Sequence, residues 1–320
     1  MNKIALEEHF MLDEMIPYFV EVSQNVDKRV GDERLKFLLS FDQKRLAQMD
    51  AAGVKRAVLS LPGPGVQHEP NAQKAIELSQ FCNDKLAHEV AKRPDRFSGF
   101  AHLAMQDPEG ATKELLRCVK ELGFAGAMIS GQTGGIYLDD PRYEEFWATV
   151  NKLQAAIYLH PGNPTVIPEV FKGQPTLCGP MWGWTMETST HALRLVVAGV
   201  FDRHPQAKLI LGHMGECLPF HLWRFDRRYA EGNKGTNPLP KPPSFYIKRN
   251  IALTTSGVCD DDATRCSMAT MGEDRVLFSI DYPFEDSKVA GDWADALAFD
   301  KPLKEKILHG NAEKILNIKL

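Results

Sequence analysis

Apolar positions in this chain fall into short unbroken runs separated by longer segments with helical spacing. The runs are Lys3–His9, Arg56–Pro62, Phe97–Leu103, Gly126–Gly131, Ala156–His160, Leu209–His213, Asn250–Gly257 and Val276–Asp281. They are too short for helices and too uniformly apolar for strands with one wet face, so they predict strands buried on both sides, as in a parallel sheet. Between them lie helix signals. Asp107-Pro108 reads as an N-cap followed by proline at the first helical position, with Ala111, Leu115, Val119 and Leu122 on one face and Gly123 past the end. Leu193, Val196, Val197 and Val200 are spaced to pack a later helix against the sheet. Pro302 to Leu308 and Ala312 to Leu316 read as two short helices broken at Gly310. Strand and helix alternating eight times predict a single (β/α)8 barrel of the TIM type over residues 1–320.

Two connections exceed ordinary turns. Residues 10–41 follow the first strand, and 161–184, rich in Gly and Pro, follow the fifth. Both leave the carboxyl-end face and are expected to serve as a lid over the pocket or as an oligomer contact. A third stretch, 231–244, holds six Gly and Pro residues and reads as surface loop.

Composition narrows the picture. Hydrophobic residues make up 43% and charged residues 25%, the globular norm. A formal charge of −4 gives no electrostatic reason to expect nucleic acid or an anionic membrane as partner. No apolar run approaches the roughly 20 residues needed to span a bilayer. The six cysteines are dispersed without a CxxC pair and read as reduced thiols. With no signal-peptide pattern at the N-terminus, the expected location is cytoplasmic.

The chemistry lies at the ends of the runs. In a parallel barrel the carboxyl ends of the strands converge on one open face. Glu7, His9, His160, His213 and Asp281 would therefore meet. Side chains alternate along a strand, so Glu7 and His9 are expected to point one way and Glu8 the other. Nitrogen and oxygen donors without cysteine suit Zn²⁺, Mn²⁺ or a related divalent ion. A lone strand-end histidine is commonly structural, but four ligand-bearing strand ends are hard to explain so, because buried polar groups are costly without partners. Glu216, three residues past His213, is placed to orient it. His191, near an apolar helical stripe, reads as structural, and Cys217 as a small buried residue. Gly63-Pro-Gly65 reads as a tight turn. No nucleotide-binding or nucleophile-elbow motif is present, so no organic cofactor is expected.

Taken together, Leu6-Glu-Glu-His-Phe10, Tyr158-Leu-His-Pro161, Leu211-Gly-His-Met-Gly-Glu216 and Phe278-Ser-Ile-Asp-Tyr-Pro-Phe-Glu285 resemble the amidohydrolase superfamily. The closer resemblance is to its metal-dependent nonoxidative decarboxylases, those acting on 2,6-dihydroxybenzoate first, with 2,3-dihydroxybenzoate and 5-carboxyvanillate enzymes near. The resemblance implies one divalent ion per subunit, Mn²⁺ or Zn²⁺, on Glu7, His9, His160 and Asp281. It implies catalytic roles for Asp281, His213 and Glu216, and a small aromatic carboxylic acid as substrate. Either Asp281 or His213 would supply the proton that replaces CO₂. Arg224 matches an arginine that contacts the substrate carboxylate in the carboxyvanillate enzymes; the alternative is a surface arginine paired with Asp226 or Glu216. Ser130 and Trp184 stand where the substrate ring would be gripped, but as departures from the expected Asn and Phe. By analogy the chain is expected to form a dimer or tetramer. Hydrolysis of a lactone or amide is the alternative. Against it stand Glu7, where hydrolytic relatives carry histidine, and the lack of a lysine at the end of the fourth run. A noncatalytic metal-binding barrel is a third reading.

Overall fold

The computed structural model describes residues 1–19, 28–232 and 238–320. Eight parallel strands are arranged in sequence order: β1 (Lys3–His9), β2 (Val54–Ser60), β3 (Phe97–Ala101), β4 (Gly126–Ser130), β5 (Ala156–His160), β6 (Lys208–Leu211), β7 (Ile251–Thr254) and β8 (Val276–Leu277). Each pairs with the next. The ring closes where Glu8 bridges Tyr282, with His9 N–H donating to Tyr282 O at 2.8 Å and Asp281 N–H to Glu7 O at 3.1 Å. This is the expected (β/α)8 barrel. Several strands stop short of their apolar runs, so His213 and Asp281 sit just past β6 and β8.

Helices named below are α1 (Gln43–Ala51), α2 (Ala72–Lys92), α3 (Pro108–Lys120), α4 (Gly183–Val197) and α5 (Leu218–Glu231). Asp107 caps α3 as its sequence suggests, accepting from Gly110 N–H at 2.9 Å, and Asn71 caps α2 through Lys74 N–H at 2.9 Å. Two expectations fail. The buried stripe of α4 is Thr188, His191, Ala192, Leu195 and Val196, while Val197 is 47% exposed and Val200 belongs to a separate turn. The spacing was right but its phase was one residue off. At Gly310 the chain does not break: a π-turn over Lys306–Gly310 joins the flanking helices, because glycine there keeps helical dihedrals.

The core has two layers. Ile4, Leu6, Val58, Phe100, Met128, Tyr158, Ile210 and Leu277 pack on one another inside the barrel. Ala5, Ala57, Leu59, Ile157, Leu159 and Leu209 alternate with them and pack outward against the helices. On that alternation Glu7 and His9 would face outward. They do not, because β1 carries a bulge: Ala5 pairs with Ala57 and Glu8 with Leu59, so one extra β1 residue is accommodated. The bulge flips parity and turns Glu7 and His9 inward at the mouth. Glu8 is not turned to water either. It is buried against the start of the Asp281 loop, accepting from Ile280 N–H at 3.0 Å, and burial pushes its pKa up to about 8.

The connection after β1 holds a 3-10 turn at Asp13–Tyr18 and a helix at Lys28–Leu38, and its residues 20–27 lie outside the described residues. So do 233–237 of the surface stretch 231–244. The connection after β5 ends earlier than expected, since α4 begins at Gly183 and takes Trp184 into its first turn.

His191 is structural, as its position suggests. It is fully buried and its Nε2 accepts from Leu138 N–H at 2.9 Å. Burial, then the neighbouring Arg194, lowers its pKa to about 3. A folded-state pKa below the unfolded value means that the unfolded chain takes up the proton first as pH falls. The stabilisation is complete above about pH 6.5 and is lost toward pH 3, at up to roughly 1.4 kcal/mol per pH unit. Thermal midpoints are therefore expected to drop between pH 6.5 and 4.5, less steeply in His191→Gln; parallel curves for the two proteins would contradict this.

Candidate active site

The mouth of the barrel gathers the strand-end residues. Donor atoms of Glu7, His9 and His160 all lie within 4.8 Å of one another, and all three side chains are buried. His160 Nε2 stands 3.4 Å from Glu7 Oε1, and Asp281 Oδ1 3.5 Å from His9 Nε2. Glu7 Oε1, His9 Nε2 and Asp281 Oδ1 are buried with no hydrogen-bond partner among the described residues. Orphaned polar atoms converging on one point are costly unless something fills it. A divalent cation fits that donor set.

The other atoms of these side chains are braced. His160 Nδ1 lies 2.9 Å from Pro161 O and donates to it, leaving Nε2 as the lone-pair atom. Burial, then His9, pushes the His160 pKa down to about 3, so the ring stays neutral, the form a metal requires. Ser60 Oγ meets His9 Nδ1 at 3.2 Å. Tyr158, two residues before His160 on the same face of β5, donates its hydroxyl to Glu7 Oε2 and meets Thr254 Oγ1 at 2.9 Å. Glu7 is thereby gripped by one oxygen and free at the other. Gly212 completes the cradle: a Cβ there would stand 2.8 Å from Glu7 Oε2 and 3.1 Å from Tyr158 OH.

Beside this cluster runs a charged chain. Glu216 Oε1 accepts from His213 Nδ1 at 2.6 Å, and His213 Nε2 faces Asp281 Oδ2 at 3.8 Å. Burial disfavours the His213 imidazolium, but the Glu216 and Glu7 carboxylates and contact with Asp281 outweigh it and raise the pKa well above the ordinary histidine value. Burial alone would raise Asp281, yet His213 and His9 hold it below the usual carboxylate range. Burial raises Glu7. His213, Met214, Glu216 and Cys217 have φ of 49°, 53°, 52° and 69°, and Asp281 has 80°. Such backbone costs roughly 1–3 kcal/mol per residue and clusters where geometry matters more than comfort. The tight left-handed turn brings Glu216 back onto His213 and leaves Cys217 exposed rather than buried.

The three remaining candidates fare differently. Ser130, 7% exposed, ends β4 directly opposite His160, held through its backbone by Gln67 at 2.7 Å (N–H to Oε1). Half-buried Trp184 donates its Nε1–H to Asn163 Oδ1 at 2.6 Å. Arg224 is exposed on α5 and makes no hydrogen bond or ion pair among the described residues. Neither carboxylate offered as its surface partner takes it: Asp226 accepts from Ser244 at 2.6 and 2.8 Å, and Glu216 from His213.

Tyr158 and Phe284 were not singled out from the sequence. Tyr158 was within reach by period-2 alternation from His160. The Phe284 ring lies 5.6 Å from His9 and 6.4 Å from Phe19, forming an aromatic wall beside the cluster, with the Arg34 guanidinium over the Phe284 ring at 5.5 Å. No local pattern marks it.

Comparison with known proteins bears on this arrangement. A family model described as Amidohydrolase matches residues 26–318. A gamma-resorcylate decarboxylase of Rhizobium sp. (strain MTP-10005) is 41% identical over 331 residues, covering 99% of this chain and 98% of that protein. A 2,6-dihydroxybenzoate decarboxylase complexed with 2,6-dihydroxybenzoate superposes with a TM-score of 0.93 at 41% identity, covering 99% of this chain and 100% of the other. A dihydroxybenzoic acid decarboxylase from Polaromonas sp. JS666, with bound manganese and the inhibitor 2-nitroresorcinol, superposes with a TM-score of 0.93 at 40% identity, covering 99% and 97%.

Proposed function

The chain belongs to the amidohydrolase family, and from that premise we propose that it is a metal-dependent nonoxidative decarboxylase of hydroxybenzoates, converting 2,6-dihydroxybenzoate to resorcinol and CO₂. The observation that carries this reading is the set of orphaned buried donors on Glu7, His9 and Asp281 facing His160 Nε2, beside a histidine flanked by two carboxylates.

Glu7, His9, His160 and Asp281 would hold a divalent ion, which would supply Lewis-acidic anchoring of the acidic substrate when bound. The rest falls to the chain. The barrel mouth holds the ring still and excludes water from it. A proton is delivered to the ring carbon that bears the carboxylate. The bond to the carboxylate then breaks, its electrons return to the ring and CO₂ leaves. Delivery of that proton is assigned to Asp281 and its replacement to His213, held at Nδ1 by Glu216, with His213 the alternative donor. Ser130 and Trp184 are assigned to gripping the ring, and Arg224 to the carboxylate. Manganese is the proposed ion, zinc the alternative; metal analysis of the purified protein decides. The loops after β1 and β5 are assigned to lid or interface. Val166, Val170, Phe220 and Trp223, each 76–79% exposed, support self-association as a dimer or tetramer. Among the described residues no helix is long and apolar enough to cross a membrane, and a cytoplasmic location is proposed.

The test is CO₂ release from manganese-loaded protein given 2,6-dihydroxybenzoate, 2,3-dihydroxybenzoate, salicylate and 5-carboxyvanillate. Turnover is expected with the first. No turnover of any, with hydrolysis of a lactone by the same preparation, would replace this reading with a hydrolase. A second expectation concerns the brace under Glu7. Tyr158→Phe removes only the hydroxyl, and Mn²⁺ affinity should fall about 10–100-fold. Titration of the apoprotein checks it, and wild-type affinity would show that the brace does nothing for the ion.

A further inference from the structure

Arg45 lies 36 positions beyond His9 in sequence, in the first turn of α1, where an arginine would ordinarily reach water. Instead its side chain is 1% exposed, among the largest fully buried side chains in the protein. Among the described residues no carboxylate forms an ion pair with it. Burying a guanidinium without such a partner is expensive, so its contacts should identify what it is for.

Those contacts are specific. Nη2 donates to the backbone carbonyl of His9 at 2.6 Å and to that of Leu38 at 3.5 Å, and Nε donates to Ser40 O at 2.7 Å. The guanidinium plane lies over the Tyr282 ring at 4.5 Å and near the Phe41 ring at 5.8 Å. His9 is one of the cluster residues, and Tyr282 directly follows another, Asp281. Arg45 thus grips both sides of the seam where β1 meets the end of β8.

That seam has the fewest paired strand residues of any join among the described residues. β8 has only two ladder residues, and β1 meets the chain beyond it through a single isolated bridge, Glu8 to Tyr282. Across it run two backbone hydrogen bonds, His9 N–H to Tyr282 O and Asp281 N–H to Glu7 O, and side-chain bonds in which Leu6 and Glu7 N–H donate to Ser279 Oγ and Ile280 N–H to Glu8. Yet Glu7, His9 and Asp281 all sit on this seam, and the 3.5 Å separation of His9 Nε2 and Asp281 Oδ1 depends on it.

We propose that Arg45 is a positioning residue for the metal centre, clamping the β1 and β8 ends so that His9 and Asp281 face one ion. The proposal rests on the metal-site reading above but not on the identity of the substrate. A staple that merely fastens the 38–42 loop would be satisfied by the Leu38 and Ser40 carbonyls. The bond to His9 and the stacking on Tyr282 are what a clamp adds.

The experiment is titration of apo wild type, Arg45→Met and Arg45→Lys with Mn²⁺, followed by electron paramagnetic resonance of free and bound ion, with circular dichroism to establish folding. Arg45→Met is expected to weaken Mn²⁺ about 10–100-fold and to broaden the bound-ion signal. Arg45→Lys, which keeps charge but loses the fork and the stacking plane, should fall between. A folded Arg45→Met protein with wild-type affinity and signal would overturn the proposal, even with a lowered Tm. If that variant does not fold, wild-type affinity in Arg45→Lys does so instead. Failure of the metal-site reading looks different: wild type itself would then bind no Mn²⁺.

Discussion

Asp281→Asn is expected to lower kcat for CO₂ release from 2,6-dihydroxybenzoate on the order of 10³-fold, with the fold intact. The substitution is close to isosteric, so the packing of Asp281 against His9 and His213 survives. Lost are the negative charge between two imidazoles and the capacity to pass a proton to carbon. The site has invested in this residue: its backbone sits at φ 80°, held by its N–H bond to Glu7 O and by Phe284 N–H donating to its carbonyl at 2.7 Å. Non-glycine backbone in that region is uncommon and persists only where its surroundings over-determine it. Stopped assays of released CO₂, with circular dichroism and Mn²⁺ titration alongside, make the check. A variant that keeps a tenth or more of wild-type kcat while holding metal would remove Asp281 from proton delivery.

His213→Gln comes next, with an expected loss of about 10²–10³-fold in kcat and a much smaller change in Mn²⁺ affinity. His213 touches Asp281 through Nε2 and Glu216 through Nδ1, whereas its ring atoms are not part of the Glu7, His9 and His160 group. Glutamine can keep one of those contacts but cannot carry a proton between them. Glu216→Gln should cost less, because it leaves the ring in place and removes only the charge behind it. The ordering of the three variants is informative. If His213→Gln costs more than Asp281→Asn, then His213 is the group that protonates the ring, and Asp281 chiefly holds the ion. Equal losses in the single and double variants would mark the pair as one unit.

How much of this was legible follows from the range of the forces involved. A strand buried on both faces must be apolar throughout, so eight such runs could be read directly, and their ends marked the cluster. Asp107 announced its helix because a cap is a contact over three residues. The bulge in β1 was not legible. Plain alternation from Ile4 and Leu6 sends Glu7 and His9 outward, and only pairing with β2 reveals the extra residue that turns them in. Val197 was misplaced because a helical stripe fixes spacing but leaves its phase to whatever the helix packs against. Gly310 was read as a break because glycine permits one, yet the packing of the flanking turns kept it helical.

The residue types, the strand ends that carry them, the barrel that unites them and the family whose pattern they match can all be read along the chain. Only the folded chain shows which oxygen of Glu7 is free, that Cys217 is exposed and that Arg45 reaches the seam. The physical reason is that hydrophobic periodicity and capping act between neighbours along the chain. The direction of a side chain past a bulge, the partner of Glu7 and the burial of a charge are set by segments tens to hundreds of residues apart, brought within hydrogen-bond distance only when the barrel closes.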